Sequence, residues 1–88
     1  ALDMHYQLEI IQLIRRLVDE QGLGVVMIIH DINLAAQYAD HIIALKKGQI
    51  CHSGNVMTTM QPPVLSNIFN VNMKLLAHPD TGLPVAIV

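Results

Sequence analysis

His30 and Asp31 form the local feature of the sequence most suited to chemistry. They directly follow the apolar run Val25-Val26-Met27-Ile28-Ile29, which is typical of a buried strand. Ligands of open α/β sheets bind beyond the carboxyl ends of the strands, so His30 is the candidate functional residue. The alternative for His30 is a structural, hydrogen-bonded histidine. Asp31 also has a structural explanation, because its carboxylate can cap a helix that begins after it.

The other histidines and the single cysteine do not predict a metal site. They are scattered without H-x-x-x-H or C-x-x-C spacing, and adjacent residues of a strand point to opposite faces, so Cys51 and His52 cannot bind one ion together. A hydrolase based on His30 and Asp31 would lack a nucleophile, since no G-x-S-x-G sequence is present. The sequence therefore predicts no metal site and gives little support to hydrolysis by a Ser or Cys nucleophile.

The composition narrows the class of protein. The 88 residues are 52% hydrophobic and 14% charged, which excludes a highly solvated, disordered chain. The net charge of −2 lacks the basic excess that a nucleic-acid partner would require. The longest apolar run, residues 25–29, is far shorter than the roughly 20 residues of a membrane-spanning helix. One cysteine excludes an internal disulfide and fits a reducing compartment.

The elements that must position His30 can be predicted from spacing. Residues 5–21 have the periodicity of an amphipathic helix, with Asp3 placed as its N-cap and Gly22 as its end. We then expect a buried strand over residues 24–30 and a short helix from Asp31 to about residue 39. The apolar face of the first helix comprises Ile10, Ile11, Leu13, Ile14, Leu17 and Val18.

Hairpins and short helices are predicted for the rest of the chain. Residues 41–45 and 49–53 flank Lys46-Lys47-Gly48, and residues 71–88 contain a turn at residues 78–82. Residues 55–60 and 62–70 are predicted to form one or two short helices.

The predicted fold class is α/β, with one buried strand between helices followed by β-hairpins. A strand that is apolar on both faces needs parallel neighbours, which hairpins cannot supply through right-handed crossovers. We therefore expect the chain to be the trailing part of a larger α/β domain.

The order and spacing of these segments resemble the C-terminal third of ATP-binding-cassette (ABC) ATPase subunits. The resemblance covers essentially residues 1–88 and is carried by Ala1-Leu2-Asp3, by the run ending in His30-Asp31, and by Asn33-Leu34-Ala35-Ala36-Gln37-Tyr38-Ala39-Asp40 and Ile43-Ala44-Leu45-Lys46-Lys47-Gly48-Gln49-Ile50. The branch it resembles most imports iron-siderophore complexes and cobalamin. The resemblance implies a C-terminal fragment of a P-loop NTPase domain.

The resemblance also implies roles for two residues. Asp3 matches the Asp of the D-loop, at the interface of two nucleotide-binding subunits. His30 matches the switch-loop His, a catalytic residue that contacts the γ-phosphate of ATP. Implied cofactors are ATP and Mg²⁺, and implied partners are a second copy of the ATPase subunit and transmembrane permease subunits. The implied location is peripheral, at the cytoplasmic face of the inner membrane, with no span of its own and no nucleic acid bound.

The chain departs from the family pattern in lacking its phosphate-binding motifs. No G-x-x-x-x-G-K-[ST] loop, no L-S-G-G-Q signature and no strand ending in Asp-Glu is present; in the family these precede the position of Ala1. We therefore expect the 88 residues alone to be inactive. The alternative function is a non-catalytic protein-interaction or regulatory α/β module, whose exposed apolar faces would bind a partner. A folded, monodisperse monomer would favour this alternative.

Overall fold

The computed structural model describes residues 4–88 as a mixed α/β arrangement. In chain order the described elements are α1 (Met4–Gln21), α2 (Ile32–Tyr38), β1 (His41–Lys46), β2 (Gln49–Asn55), α3 (Val56–Thr59), α4 (Pro62–Phe69), β3 (Lys74–Ala77) and β4 (Pro84–Ile87). Strands β1 and β2 form one antiparallel sheet, and β3 and β4 form a second. Both predicted hairpins are thus present.

The buried strand predicted over residues 24–30 is wrong. Residues 22–31 belong to no helix or strand, and Val26 and Ile28 are 98% and 88% exposed. A strand requires a partner for its backbone N–H and C=O groups. Each described strand pairs within its own hairpin, so no ladder reaches this apolar segment. Its hydropathy alone does not make it a strand.

The first helix agrees with its predicted bounds, but fewer of its apolar side chains are buried than its amphipathic pattern predicts. Helix α1 ends before Gly22, whose φ of 66° is in the left-handed region that glycine adopts without a Cβ penalty. Of the predicted apolar face, only Ile11 is buried by the described residues, while Ile10 and Leu13 stay exposed. Helix α1 therefore contacts the rest of the described chain along a narrow stripe.

The first hairpin turns over two residues. Lys47 and Gly48 both have positive φ, 52° and 76°, which is the pattern of the turns that match the twist of paired strands. Lys46 belongs to β1, where it is opposite Gln49, so the connection is one residue shorter than predicted. The Lys46 Nζ also donates to the Asn67 backbone oxygen at 2.8 Å and to the Asn70 Oδ1 at 2.9 Å, and this fastens the hairpin to the end of α4.

The core joins α2 to the second half of the chain. It consists of Ala36, Met60, Leu65 and Ala86, each at most 5% exposed. Ile32, Val56, Met73 and Leu75 pack around them. The helix that follows His30 is therefore held on the core by Ala36.

Arg15 ties α1 to the end of α2. Its Nη1 donates to the Tyr38 backbone oxygen at 3.1 Å and to Asp40 Oδ2 at 2.8 Å. Its Nε lies 3.2 Å from both carboxylate oxygens of Asp19. Gln12 adds a bond from its Nε2 to the Tyr38 hydroxyl at 3.0 Å. The two helices are thus joined by side chains rather than by a wide apolar contact.

This arrangement predicts how Asp19 titrates. The hydrogen bond from Arg15 lowers the pKa of the Asp19 carboxyl below the ordinary value of an aspartate. Because the pKa of Asp19 is lower in the folded state, the ion pair stabilises the fold at pH values above the ordinary pKa. This stabilisation is lost as the pH falls through the folded-state pKa. We expect NMR titration of the Asp19 carboxyl to show the lowered pKa, and Arg15→Met to return it to the ordinary range.

Arg16→Met is the matched control for that titration. It removes the neighbouring guanidinium, which belongs to the exposed face of α1, and should leave the titration of Asp19 unchanged. An ordinary pKa for Asp19 in the unsubstituted protein would contradict the contact between Arg15 and Asp19.

Candidate functional site

His30 lies near the end of the irregular segment, directly before Asp31, the N-cap of α2. Its side chain is exposed, and it has no hydrogen-bond partner among residues 4–88. A structural role as a hydrogen-bonded histidine is therefore not observed in the described part of the chain. The ring is open to a ligand or to another polypeptide.

Asp31 caps α2, as predicted. It has extended backbone angles, and its Oδ1 accepts from the backbone N–H of Asn33 at 2.9 Å and of Leu34 at 3.3 Å. Such a cap contributes about 1 kcal/mol to helix stability. The structural explanation of Asp31 is confirmed, and the cap fixes the start of α2 at Ile32, two residues after His30.

Asn33 makes a contact that the sequence did not predict. Its Oδ1 accepts from the Ala86 backbone N–H at 2.6 Å, and its Nδ2 donates to the Ala86 backbone oxygen at 2.9 Å. The two residues are 53 positions apart, and no periodicity or local motif connects them. The sequence offered one hint of this contact. Asn33 is an amide on the side of a short helix whose other inward positions are Ile32, Ala35 and Ala36.

A groove of about 540 Å³ lies beside α2, between α1 and the turn that joins β3 to β4. Its lining includes Asp31, Gln37, His78, Asp80 and Thr81, but neither His30 nor any Lys or Arg. Two carboxylates and no cation do not suit a triphosphate. The groove therefore does not fit ATP.

Two cations of the described residues already have carboxylate, amide or carbonyl partners. Arg15 binds Asp19 and Asp40, and Lys46 binds the end of α4. The groove beside α2 therefore offers no cation to a phosphate, and His30 lies outside its lining. Asp3, the predicted interface residue, lies outside the described residues.

Within residues 4–88, no three His, Cys, Asp or Glu side chains gather as metal ligands do. No helix there combines the length and apolar character that crossing a membrane requires.

The chain is similar to curated import proteins, although no family model matches it. It is 41% identical to the iron(3+)-hydroxamate import ATP-binding protein FhuC of Bacillus subtilis over 98% of its length, which is 32% of that protein. It is 40% identical to the petrobactin import ATP-binding protein YclP of Bacillus subtilis, over 84% of the chain and 29% of that protein. It is 34% identical to the hemin import ATP-binding protein HmuV of Hydrogenovibrio crunogenus, over 98% of the chain and 33% of that protein.

The chain spans about a third of the length of these relatives. The segments that carry the resemblance include the helix capped by Asp31 and the hairpin β1–β2. Over almost its entire length, the chain is therefore homologous to about one third of an ABC importer ATP-binding subunit, which confirms the family resemblance.

Proposed function

We propose that these 88 residues are the C-terminal part of the ATP-binding subunit of an ABC importer for an iron(III)-siderophore or a related metal chelate. The observation that carries the proposal is the 41% identity over 98% of the chain to an iron-hydroxamate import ATP-binding protein. The petrobactin and hemin relatives agree with an iron-containing cargo. The intact protein is proposed to be an ATP hydrolase, and this portion alone is proposed to be inactive.

We propose that His30 is the catalytic switch-loop residue of that subunit and contacts the terminal phosphate. Phosphoryl transfer depends mainly on positioning and on stabilisation of charge, and an imidazole N–H supplies both without covalent chemistry. The exposure of the ring and its place two residues before a capped helix support this role. The phosphate loop, the signature sequence and the Mg²⁺-binding carboxylates belong to the other part of the subunit in this proposal.

The proposed partners are a second copy of the subunit and transmembrane permease subunits, at the cytoplasmic face of the inner membrane. The proposed cofactors are ATP and Mg²⁺. The relatives' names, which describe import and ATP binding, support the permease partners and ATP.

Asp3 is proposed to lie at the interface between the two ATPase copies and to couple their ATP sites. We expect Asp3→Ala in the complete subunit to lower the Hill coefficient for ATP hydrolysis towards 1, because the sites would then respond independently. The rate of hydrolysis as a function of ATP concentration measures it. Asp80→Ala, a change of the same type in the turn between β3 and β4, is the control. A Hill coefficient unchanged by Asp3→Ala would count against the interface role.

The coding sequence upstream of Ala1 tests the proposal as a whole. We expect it to encode, in frame, a G-x-x-x-x-G-K-[ST] loop, an L-S-G-G-Q signature and an apolar strand that ends in Asp-Glu shortly before Ala1. An upstream frame without a phosphate loop would overturn the proposal.

One observation favours the alternative, a non-catalytic interaction module. The apolar side chains of residues 23–28 are exposed, with Val26 and Ile28 almost entirely so. Large exposed apolar patches often mark interaction sites. A folded, monodisperse 88-residue monomer would favour the module, while aggregation or obligate self-association would favour the ATPase segment.

A further inference from the structure

Asn33 acts as a strand-like partner for β4. Ala86 is opposite Leu75 in the register of β3 and β4, yet both of its backbone groups bind the Asn33 amide. They therefore point away from β3, at the free edge of β4. Ala86 is 5% exposed, so loss of the Asn33 amide would leave a buried donor and a buried acceptor unpaired.

The contact belongs to a wider attachment of α2 to the hairpin β3–β4. Ala36 packs with Ala86 in the core, and the Thr81 hydroxyl donates to Gln37 Oε1 at 2.8 Å. The attachment runs from the first turn of α2 to its last. The hairpin thus fixes the helix in both position and rotation.

The same residue is fastened to the segment that holds His30. The backbone N–H of Asn33 donates to the capping carboxylate of Asp31, which directly follows His30. Asn33 therefore bonds through its main chain to the cap of α2 and through its side chain to β4. A shift of the first turn of α2 relative to β4 would move His30 with it.

We propose that Asn33 is a positioning residue through which the hairpin β3–β4 sets the location of His30. The proposal rests on the proposed ATPase function, in which His30 is the catalytic residue. Asn33 touches no substrate; it acts by holding the start of α2 against Ala86. A misplacement of about 1 Å at a reacting centre can cost about a hundredfold in rate, so loss of half of this contact should be visible in turnover.

The test uses the complete subunit, expressed from the full reading frame that contains these residues. Asn33→Asp keeps the shape and the acceptor but replaces the donor by an oxygen that repels the Ala86 carbonyl. We expect turnover at saturating Mg-ATP to fall about tenfold, with the KM for ATP changed less than about twofold, because the proposed contact of His30 stabilises the transition state more than bound ATP. Asn67→Asp, the same change at an exposed position of α4, should leave both constants unchanged.

A double-mutant cycle with His30→Ala separates positioning from stability. If Asn33 acts through His30, Asn33→Asp should cause no further loss in single-turnover assays of the His30→Ala protein. If the two residues act independently, the rate losses of the two single variants will multiply in the double variant, and this result would overturn the proposal. An unchanged rate for Asn33→Asp in the His30-containing protein would also overturn it.

Two further readouts keep the test decisive. Hydrogen exchange at the Ala86 amide should accelerate in Asn33→Asp, and Asn33→Ser, which removes both bonds without adding a charge, should also lower turnover. If both variants unfold at the assay temperature, Asn33 is a stability residue and the proposal fails. If His30→Ala itself leaves turnover unchanged, the proposed role of His30 fails first. If His30→Ala lowers turnover and Asn33→Asp does not, only the positioning role of Asn33 is overturned.

Discussion

His30→Ala in the complete subunit is expected to lower ATP turnover by about a hundredfold or more, while ATP affinity changes less than about threefold. The reason is that an aimed N–H donor at a transferring phosphoryl group stabilises the transition state more than the ground state. Loss of one such donor typically costs about 10² to 10³ in rate. Phosphate release at saturating Mg-ATP and equilibrium nucleotide binding measure the two quantities separately.

Two variants sharpen that experiment. His30→Gln retains an N–H donor of similar reach and should keep more activity than His30→Ala. His41→Ala removes an exposed histidine on β1, whose Nε2 lies 2.9 Å from the Ser53 hydroxyl, and should leave turnover unchanged. Turnover within twofold of the unsubstituted subunit in His30→Ala would refute the catalytic role.

The 88-residue chain alone is expected to bind Mg-ATP no more tightly than the millimolar range. Tight binding of a triphosphate needs a nest of backbone N–H groups and a nearby cation. The groove beside α2 offers two carboxylates instead, and Arg15 and Lys46 are held by other partners. Isothermal calorimetry with Mg-ATP measures the affinity directly.

The complete subunit provides the positive control for that titration. Circular dichroism of the 88-residue chain should first show the helices, so that weak binding reports on the site and not on unfolding. Micromolar binding by the 88-residue chain would contradict the expectation and would require a phosphate site within these residues.

Local signals predicted the elements whose formation depends on local chemistry. The end of α1 at Gly22, the turn at Lys47 and Gly48, and the start of α4 at Pro62 each follow from backbone preferences of single residues. These preferences act within a few positions and can be read from one sequence.

Residues 24–30 show where that reasoning stops. Their hydropathy predicted a buried strand, but a strand depends on a partner ladder, and hydropathy does not supply one. In the described residues both ladders are used within hairpins, and the segment remains exposed. Pairing is a property of two segments, so one apolar run cannot establish it.

The candidate site likewise contains residues that the sequence predicted and a contact that it did not. His30 and Asp31 could be chosen because they follow an apolar run and precede a helix, and the cap at Asp31 is observed. The contact between Asn33 and Ala86 could not be chosen, because it joins residues 53 positions apart through a side chain and a backbone. Tertiary contacts of this kind leave no periodic trace in the sequence.

Phosphate release by the complete subunit is the measurement that tests the central claim most directly. The subunit containing these 88 residues is purified and supplied with saturating ATP and Mg²⁺, and inorganic phosphate is followed over time. We predict steady hydrolysis that requires Mg²⁺ and is lost in His30→Ala. A folded complete subunit that binds no ATP, or that releases no phosphate above the protein-free rate, would contradict the claim that this chain is part of an ABC importer ATPase.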